Sequence, residues 1–253
     1  MATYGLVGKK LSHSFSKRYF EETYGFNSDE SRNRYLNFEL ANISEITSLD
    51  STYPDLAGFN VTIPYKNEII PYIDCLSDDA AQIGAVNVIK VIHDTSNGRN
   101  ILEGHNTDHI GFMAAILPMV RSNHTTAMVI GNGGASDSVR FALQGMGIEC
   151  VCCCRNPKRA DDIVFNSLRR SHFDRYKILI NTTPLGTWPG TSQMPPIPVD
   201  FVDESHLVFD LVYNPEETLL MRESRLRGAV VSNGLQMLRN QADLALQIWG
   251  IKS

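Results

Sequence analysis

Short apolar runs and mixed polar runs alternate along the first hundred residues. The segments TYGLVG (3–8), SKRYFEETYG (16–25), RYLNFEL (34–40), ISEITSL (43–49), LAGFNVTIP (56–64), NEIIPYIDCL (67–76) and AVNVIKVI (85–92) read as strand-like and helix-like pieces in turn. Strand followed by helix, repeated, predicts an α/β layer with mostly parallel strands. A turn-rich piece, HDTSNGRN (93–100), separates two further apolar runs that read as a hairpin closing this first unit. An amphipathic helix is predicted after Asp108, and a second α/β series begins at residue 125. Near the C-terminus, Leu235, Leu238, Ala242, Leu246 and Trp249 recur with a period near 3.6, which predicts a helix that packs back on the first unit. The expected organisation is therefore residues 1–108 plus 235–253 as one domain and residues 109–234 as the other.

One strand carries more than a core. In GFNVTIPYK (58–66), Asn60 and Thr62 point to one face and Phe59, Val61 and Ile63 to the other, because side chains alternate along a strand. One face is apolar and the other is hydrogen-bonding, and Lys66 follows two residues after Pro64.

The second series opens with a run that narrows the chemistry. In AMVIGNGGAS (127–136) a buried strand enters Gly131, Gly133, Gly134 and Ala135, and a helical segment follows. Strand, glycine turn and helix form the setting of a Rossmann-type phosphate loop, in which glycines admit the pyrophosphate and the helix N-terminus favours the anion. Ser136 stands where the third glycine of that pattern is usual. About 20 residues on, an NAD site carries a carboxylate, whereas this chain has Arg155, Asn156, Lys158 and Arg159 and no carboxylate before Asp161. Guanidinium groups bind phosphate bidentately, so NADP(H) is the expected cofactor; the alternative is that these arginines lie on a solvated loop.

Bulk properties agree with small-molecule work. The 253 residues are 43% hydrophobic and 20% charged, as in folded globular proteins, and the formal net charge is −5 with no long single-sign run. Nucleic-acid and membrane-surface partners are not expected. With no signal-type apolar segment at the N-terminus and no span of about eighteen uncharged apolar residues, a cytoplasmic protein is expected. Cys150, Cys152, Cys153 and Cys154 crowd the stretch IECVCCC, which reads as a buried strand of structural thiols, so no metal is expected.

Polar groups recur at the ends of the first unit's strands: Ser14, Ser16, Asn60, Thr62, Lys66, Asn87 and Asp108. In α/β folds ligands bind beyond the carboxyl ends of strands, and hydroxyls, amides, one amine and one carboxylate suit a small hydroxylated acid. Each has a plainer explanation: Ser16 and Asp108 as helix caps, Asn87 as a turn residue, Lys66 as a solvated lysine.

Taken in order, SHSFS, GFNVTIPYK, IGAVNV, GHNTDHIG, GNGGAS, CRNPKRA, INTTPLG, DLVYNP and GLQMLRNQA span nearly the whole chain, which in these motifs resembles the shikimate dehydrogenase family. The resemblance implies NADPH-dependent, reversible reduction of 3-dehydroshikimate to shikimate by two α/β domains flanking a cleft, an N-terminal substrate domain and a Rossmann-like NADP domain. It places Ser14 and Ser16 on the substrate carboxylate with Thr62 nearby, and Lys66, Asn87, Asp108 and Gln241 on ring hydroxyls, with Asn60 lining the site. Lys66 and Asp108 are the implied acid–base pair. For the cofactor it implies Gly131, Gly133, Gly134 and Ala135 under the pyrophosphate and Arg155, Asn156 and Arg159 at the 2′-phosphate. Thr182, Leu211, Tyr213, Gly234 and Met237 would follow the path to the nicotinamide, although Met237 alone could equally be core. Three positions depart from the family's usual residues: Cys154 for asparagine, His109 for glycine and Lys17 for proline. Rival readings are a quinate/shikimate dehydrogenase using NAD and a non-catalytic nucleotide-binding regulator; a monomer or a homodimer fits the sequence.

Overall fold

The computed structural model describes residues 1–11, 15–94 and 98–251, and within them the chain divides into two compact units, 1–107 with 242–253 and 108–241. Ser14 of the expected substrate site lies outside the described residues.

The first unit contains β1 (Ala2–Gly8), α1 (Phe15–Tyr24), β2 (Asn33–Glu39), α2 (Leu49–Thr52), β3 (Gly58–Val61), α3 (Tyr65–Glu68), β4 (Cys75–Leu76), α4 (Asp78–Ile83), β5 (Val88–Asp94) and β6 (Arg99–His105). They build a mixed sheet in the order β2-β1-β3-β5-β6-β4. β1 pairs in parallel with β2 and β3, while β5 runs antiparallel to β3 and forms with β6 the hairpin expected around residues 93–100. β4 pairs in parallel with β6, so the mostly parallel expectation holds with β5 as the one reversed strand of the six, reached through the hairpin.

Alternation explains the two faces. Val7, Phe59, Val61 and Ile89 enter one core, and Tyr4, Leu6, Tyr35 and Val88 enter the other with Phe20 of α1. Ala242, Ala245, Leu246 and Trp249 complete that second core, and the Trp249 indole N–H donates to the Ile89 carbonyl at 2.9 Å. These four belong to the last helix of the chain, α9 (Leu235–Trp249), whose first seven residues belong to the second unit.

The second unit contains α5 (Asp108–Ile116), β7 (Thr126–Ile130), α6 (Gly134–Gly145), β8 (Glu149–Cys154), β9 (Ile163–Val164), α7 (Arg170–Arg175), β10 (Ile178–Asn181), β11 (Leu207–Asp210), α8 (Leu219–Arg225) and β12 (Val230–Asn233), followed by the start of α9. Its sheet is wholly parallel in the order β9-β8-β7-β10-β11-β12. Numbered from β7, that is 3-2-1-4-5-6, the doubly wound order whose direction reverses between its first and fourth strands. The strands are near-continuous apolar runs because helices cover both faces. Ala127, Val129, Ile178, Ile180, Leu207 and Phe209 face one layer, and Met128, Ile130, Leu179 and Val208 face the other. No helix among the described residues is long and apolar enough to cross a membrane.

Candidate functional site

In the first unit, the strand expected over 59–63 stops at Val61. Phe59 and Val61 are buried as expected, but Ile63 is 55% exposed and adds nothing to the core. The last cross-strand bonds run from Val61 N–H to Asn87 O and from Thr62 N–H to Val7 O, after which Tyr65 N–H bonds to Thr62 O and turns the chain into α3. Lys66 thereby sits on a short helix, anchored by its carbonyl to Val86 N–H and by the neighbouring Tyr65 hydroxyl to Leu40 O.

Asn60 projects from the face opposite Phe59 and accepts a hydrogen bond from the buried Tyr35 hydroxyl at 2.8 Å. Asn87 is buried, and its side chain is fixed by Thr107: the Thr107 backbone N–H donates to Oδ1 at 2.7 Å, and Nδ2 donates to Thr107 Oγ1 at 3.0 Å. A buried amide clamped in this way presents its remaining polar capacity in one fixed direction. Thr107 and Asn106, whose Nδ2 donates to Ala85 O, were not singled out from the sequence; their signal lay inside GHNTDHIG. Ser16 lies within α1 one residue after its start, so it is not the residue preceding that helix.

In the second unit Asp108 opens α5 and is buried. Gln241 is half-buried on α9, beside Asn240, whose Nδ2 donates to Gly111 O of α5. The glycine turn lies at the end of β7, where the sheet reverses. Gly131 has φ +112°, and a Cβ there would lie 2.5 Å from Thr182 Oγ1 at the end of β10. Only glycine fits that approach. Gly133 precedes α6, Gly134 and Ala135 begin it, and a Cβ on Gly133 would meet nothing within 4 Å. The backbone is therefore open toward whatever binds the N-terminus of α6.

Arg155, Asn156, Lys158 and Arg159 lie exposed just past β8. Two bonds tie this loop to the glycine turn: Asn132 Nδ2 donates to Asn156 O at 2.6 Å and Lys158 Nζ to Asn132 O at 2.8 Å. Asp162, not Asp161, is the loop's structural carboxylate, accepting the backbone N–H groups of Lys158 and Arg159 at 2.8 and 3.0 Å. A glycine-lined helix N-terminus flanked by exposed guanidinium groups fits a dinucleotide carrying an extra phosphate.

Across the reversal point, Thr182 bonds through Oγ1 to Ile130 O, and Leu211 N–H donates to Asn181 O. Gly234 joins β12 to α9 against the backbone of Leu211, and half-buried Tyr213 follows two residues on from Leu211. Met237 is buried with Phe112, Val139 and Phe209, in the core position that was the plainer alternative for it. Sequence reading missed the network beneath this region. Asp210 accepts from Asn181 Nδ2, from Val212 N–H and from the Thr218 hydroxyl, and Thr183 bonds to Asn181. Burial pushes the Asp210 carboxyl up to about 6, against the three donors that favour its ionised form.

The four cysteines of IECVCCC lie on β8 as expected, and burial pushes the Cys152 and Cys153 thiols up, Cys153 to about 12. The strand places Cys152 and Cys154 on one face, where their sulfurs and an Asp162 oxygen lie within 4.8 Å of one another.

Residues 6–89 match the family model described as the shikimate dehydrogenase substrate binding domain. A relative from Methanosphaera stadtmanae named shikimate dehydrogenase (NADP(+)) is 32% identical, over 97% of this chain and 90% of its own length. The crystal structure of shikimate dehydrogenase from Aquifex aeolicus is similar over 98% of this chain and 92% of its own, with a TM-score of 0.81 and 30% identity. That of shikimate 5-dehydrogenase from Thermus thermophilus, in complex with NADP(H) and shikimate, has a TM-score of 0.78 at 29% identity, over 98% and 93% of the two chains.

Proposed function

The chain belongs to the shikimate dehydrogenase family, and from that premise we propose that it catalyses the reversible, NADPH-dependent reduction of 3-dehydroshikimate to shikimate, on the route to chorismate and the aromatic amino acids. The observation that carries the cofactor reading is the close approach of Gly131 to Thr182 where the parallel sheet reverses, with Arg155 and Arg159 past the neighbouring strand. NADPH, when bound, supplies the hydride from its nicotinamide ring. The chain's own groups orient the reactants and manage one proton.

In this reading Gly131, Gly133, Gly134 and Ala135 bind the pyrophosphate through backbone N–H groups and the N-terminus of α6. Arg155, Asn156 and Arg159 hold the 2′-phosphate, and Thr182, Leu211, Tyr213, Gly234 and Met237 border the rest of the cofactor. Ser14, Ser16 and Thr62 take the substrate carboxylate; Asn60, Asn87 and Gln241 bind the ring and its hydroxyls. The amide of Asn87 suits that task because Thr107 fixes its direction. Lys66 donates the proton during reduction, with Asp108 the carboxylate of the pair, and hydrogen bonding to the developing alkoxide stabilises charge that arises only in the transition state. The first unit is the substrate domain and the second the NADP domain of a cytoplasmic enzyme, monomeric or homodimeric.

The test is oxidation of shikimate by the purified protein, followed by absorbance of the reduced nicotinamide with NADP⁺ and with NAD⁺, and repeated with quinate. Rapid turnover with shikimate and NADP⁺ alone is expected, and Arg155→Ala should raise the KM for NADP⁺ while leaving kcat nearly unchanged. Turnover with NAD⁺ or quinate would move the chain to a broader dehydrogenase. NADP⁺ binding without turnover would make it a nucleotide-binding regulator.

A further inference from the structure

Beneath the loops that border the glycine turn lies a group of side chains with no part in the proposed reaction. Cys152 and Cys154 are two apart on β8 and so share a face, both buried. Asp162 returns to them from the loop, its side chain only 1% exposed. Its Oδ2 accepts the N–H groups of Lys158 and Arg159, among the described residues its buried Oδ1 has no hydrogen-bond partner, and a carboxylate oxygen of Asp162 lies within 4.8 Å of both sulfurs. A buried carboxylate oxygen that accepts no hydrogen bond is costly to keep, and beside two thiols it is a ready metal ligand. Oδ1 is ion-paired with Arg140 of α6, whose Nη1 stands 3.5 Å away.

We infer that Cys152, Cys154 and Asp162 form a binding site for a soft divalent cation of the zinc class, and that its occupancy weakens the binding of NADP⁺ to the loops above it. Two thiolates and one carboxylate are a zinc-type donor set, completed by one water. Tetrahedral coordination with Zn–S near 2.3 Å sets the sulfurs about 3.8 Å apart, so the three ligands need to draw together by only about 1 Å. Binding releases two thiol protons to solvent. The metal-free group carries Asp162 and Arg140 charges that cancel; with the metal, two thiolates and one carboxylate balance the cation and Arg140, again to zero. The site therefore accepts the ion with no net charge left buried.

Coupling to the cofactor follows from what these ligands already hold. The Cys152 thiol donates to the Gly131 carbonyl at 3.0 Å, and metal binding removes that donor from the glycine turn. Asp162 holds the backbone of Arg159, and sharing its charge with a metal slackens that hold. Half-buried Cys150, on the same face of β8, lines a neighbouring cavity of about 510 Å³.

The metal site stands apart from the proposed reaction, whereas its effect on NADP⁺ rests on that reading, and two measurements separate them. Titration of chelator-treated full-length protein with Co²⁺ should give a thiolate-to-metal charge-transfer band saturating at one equivalent, displaced by Zn²⁺. Cys152→Ser and Asp162→Asn should weaken it, and Cys153→Ser, whose side chain faces the opposite layer, should not. Calorimetric titration with NADP⁺ should show affinity about three- to tenfold lower with Zn²⁺ present, the worth of roughly one hydrogen bond. Absence of the band in the wild-type protein, which needs no variant to fold, overturns the site. A stoichiometric band with unchanged NADP⁺ affinity overturns the coupling alone. A band with no NADP⁺ binding in either state overturns the cofactor reading and the coupling together.

Discussion

Replacing Gly234 with alanine probes the junction where β12 gives way to α9. A Cβ there would lie 2.1 Å from the Leu211 carbonyl oxygen, 2.7 Å from its carbon and 3.0 Å from its Cα. Such carbons do not approach other atoms closer than 3.0 Å, so the two backbones must part by about 0.9 Å, the difference between 3.0 and 2.1 Å. The obstacle is main chain and cannot rotate away. Leu211 is held by its N–H to Asn181 O, and the junction by Gly234 N–H to Val212 O, Leu235 N–H to Asn233 Oδ1 and Asn233 Nδ2 to Glu216 O. Overpacking of this kind costs about 1–3 kcal/mol, and for a chain of this length each kcal/mol lowers Tm by roughly 2–4 °C. In the proposed function this junction borders the nicotinamide, where a displacement of about 1 Å would cost on the order of 10²-fold in turnover. Steady-state kinetics with NADP⁺ and shikimate, with thermal unfolding of the same samples, should show both losses. Gly133→Ala is the control, because its Cβ meets nothing within 4 Å; its Tm should be unchanged and only cofactor affinity should suffer. Wild-type Tm and kcat in Gly234→Ala would refute the argument that backbone contact at this junction positions the site.

Lys66→Ala should lower kcat by about 10²–10⁴-fold with a smaller change in KM, as for a lost general acid; intact turnover with weakened substrate binding would make Lys66 a binding residue. Asp210 should give stability a distinctive pH dependence. Its carboxyl is raised from 3.8 to about 6, so between those values the folded chain keeps a proton the unfolded chain has lost, and this contribution is lost as pH rises. Urea unfolding should find the stability of wild type relative to Asp210→Asn falling by up to about 3 kcal/mol from pH 4 to above 6, and a constant difference would show that Asp210 does not titrate there.

The alternation of apolar and polar residues determined much of this protein unaided. The hairpin around residues 93–100, the strand from Thr126 to Ile130 entering the glycine turn and the helix from Leu235 were legible because each is dictated by local periodicity and by residues that permit or forbid a turn. The motifs carried the family, since nine in order leave little room for another fold. Tertiary structure decided what no window of sequence contains. Asn60 and Asn87 read as polar strand residues, but the partners that orient them, Tyr35 and Thr107, lie 25 and 20 positions away. Ile63 obeyed the strand's alternation and is nevertheless exposed, because the register with β5 ends at Asn60 and that with β1 at Val61, and alternation buries a residue only while its strand stays in the sheet. The cysteines of β8 read correctly as a buried strand, while the carboxylate that stands beside two of them came from a loop folded back over the strand's end. Periodicity reports which way a side chain points; only the fold decides what it meets there.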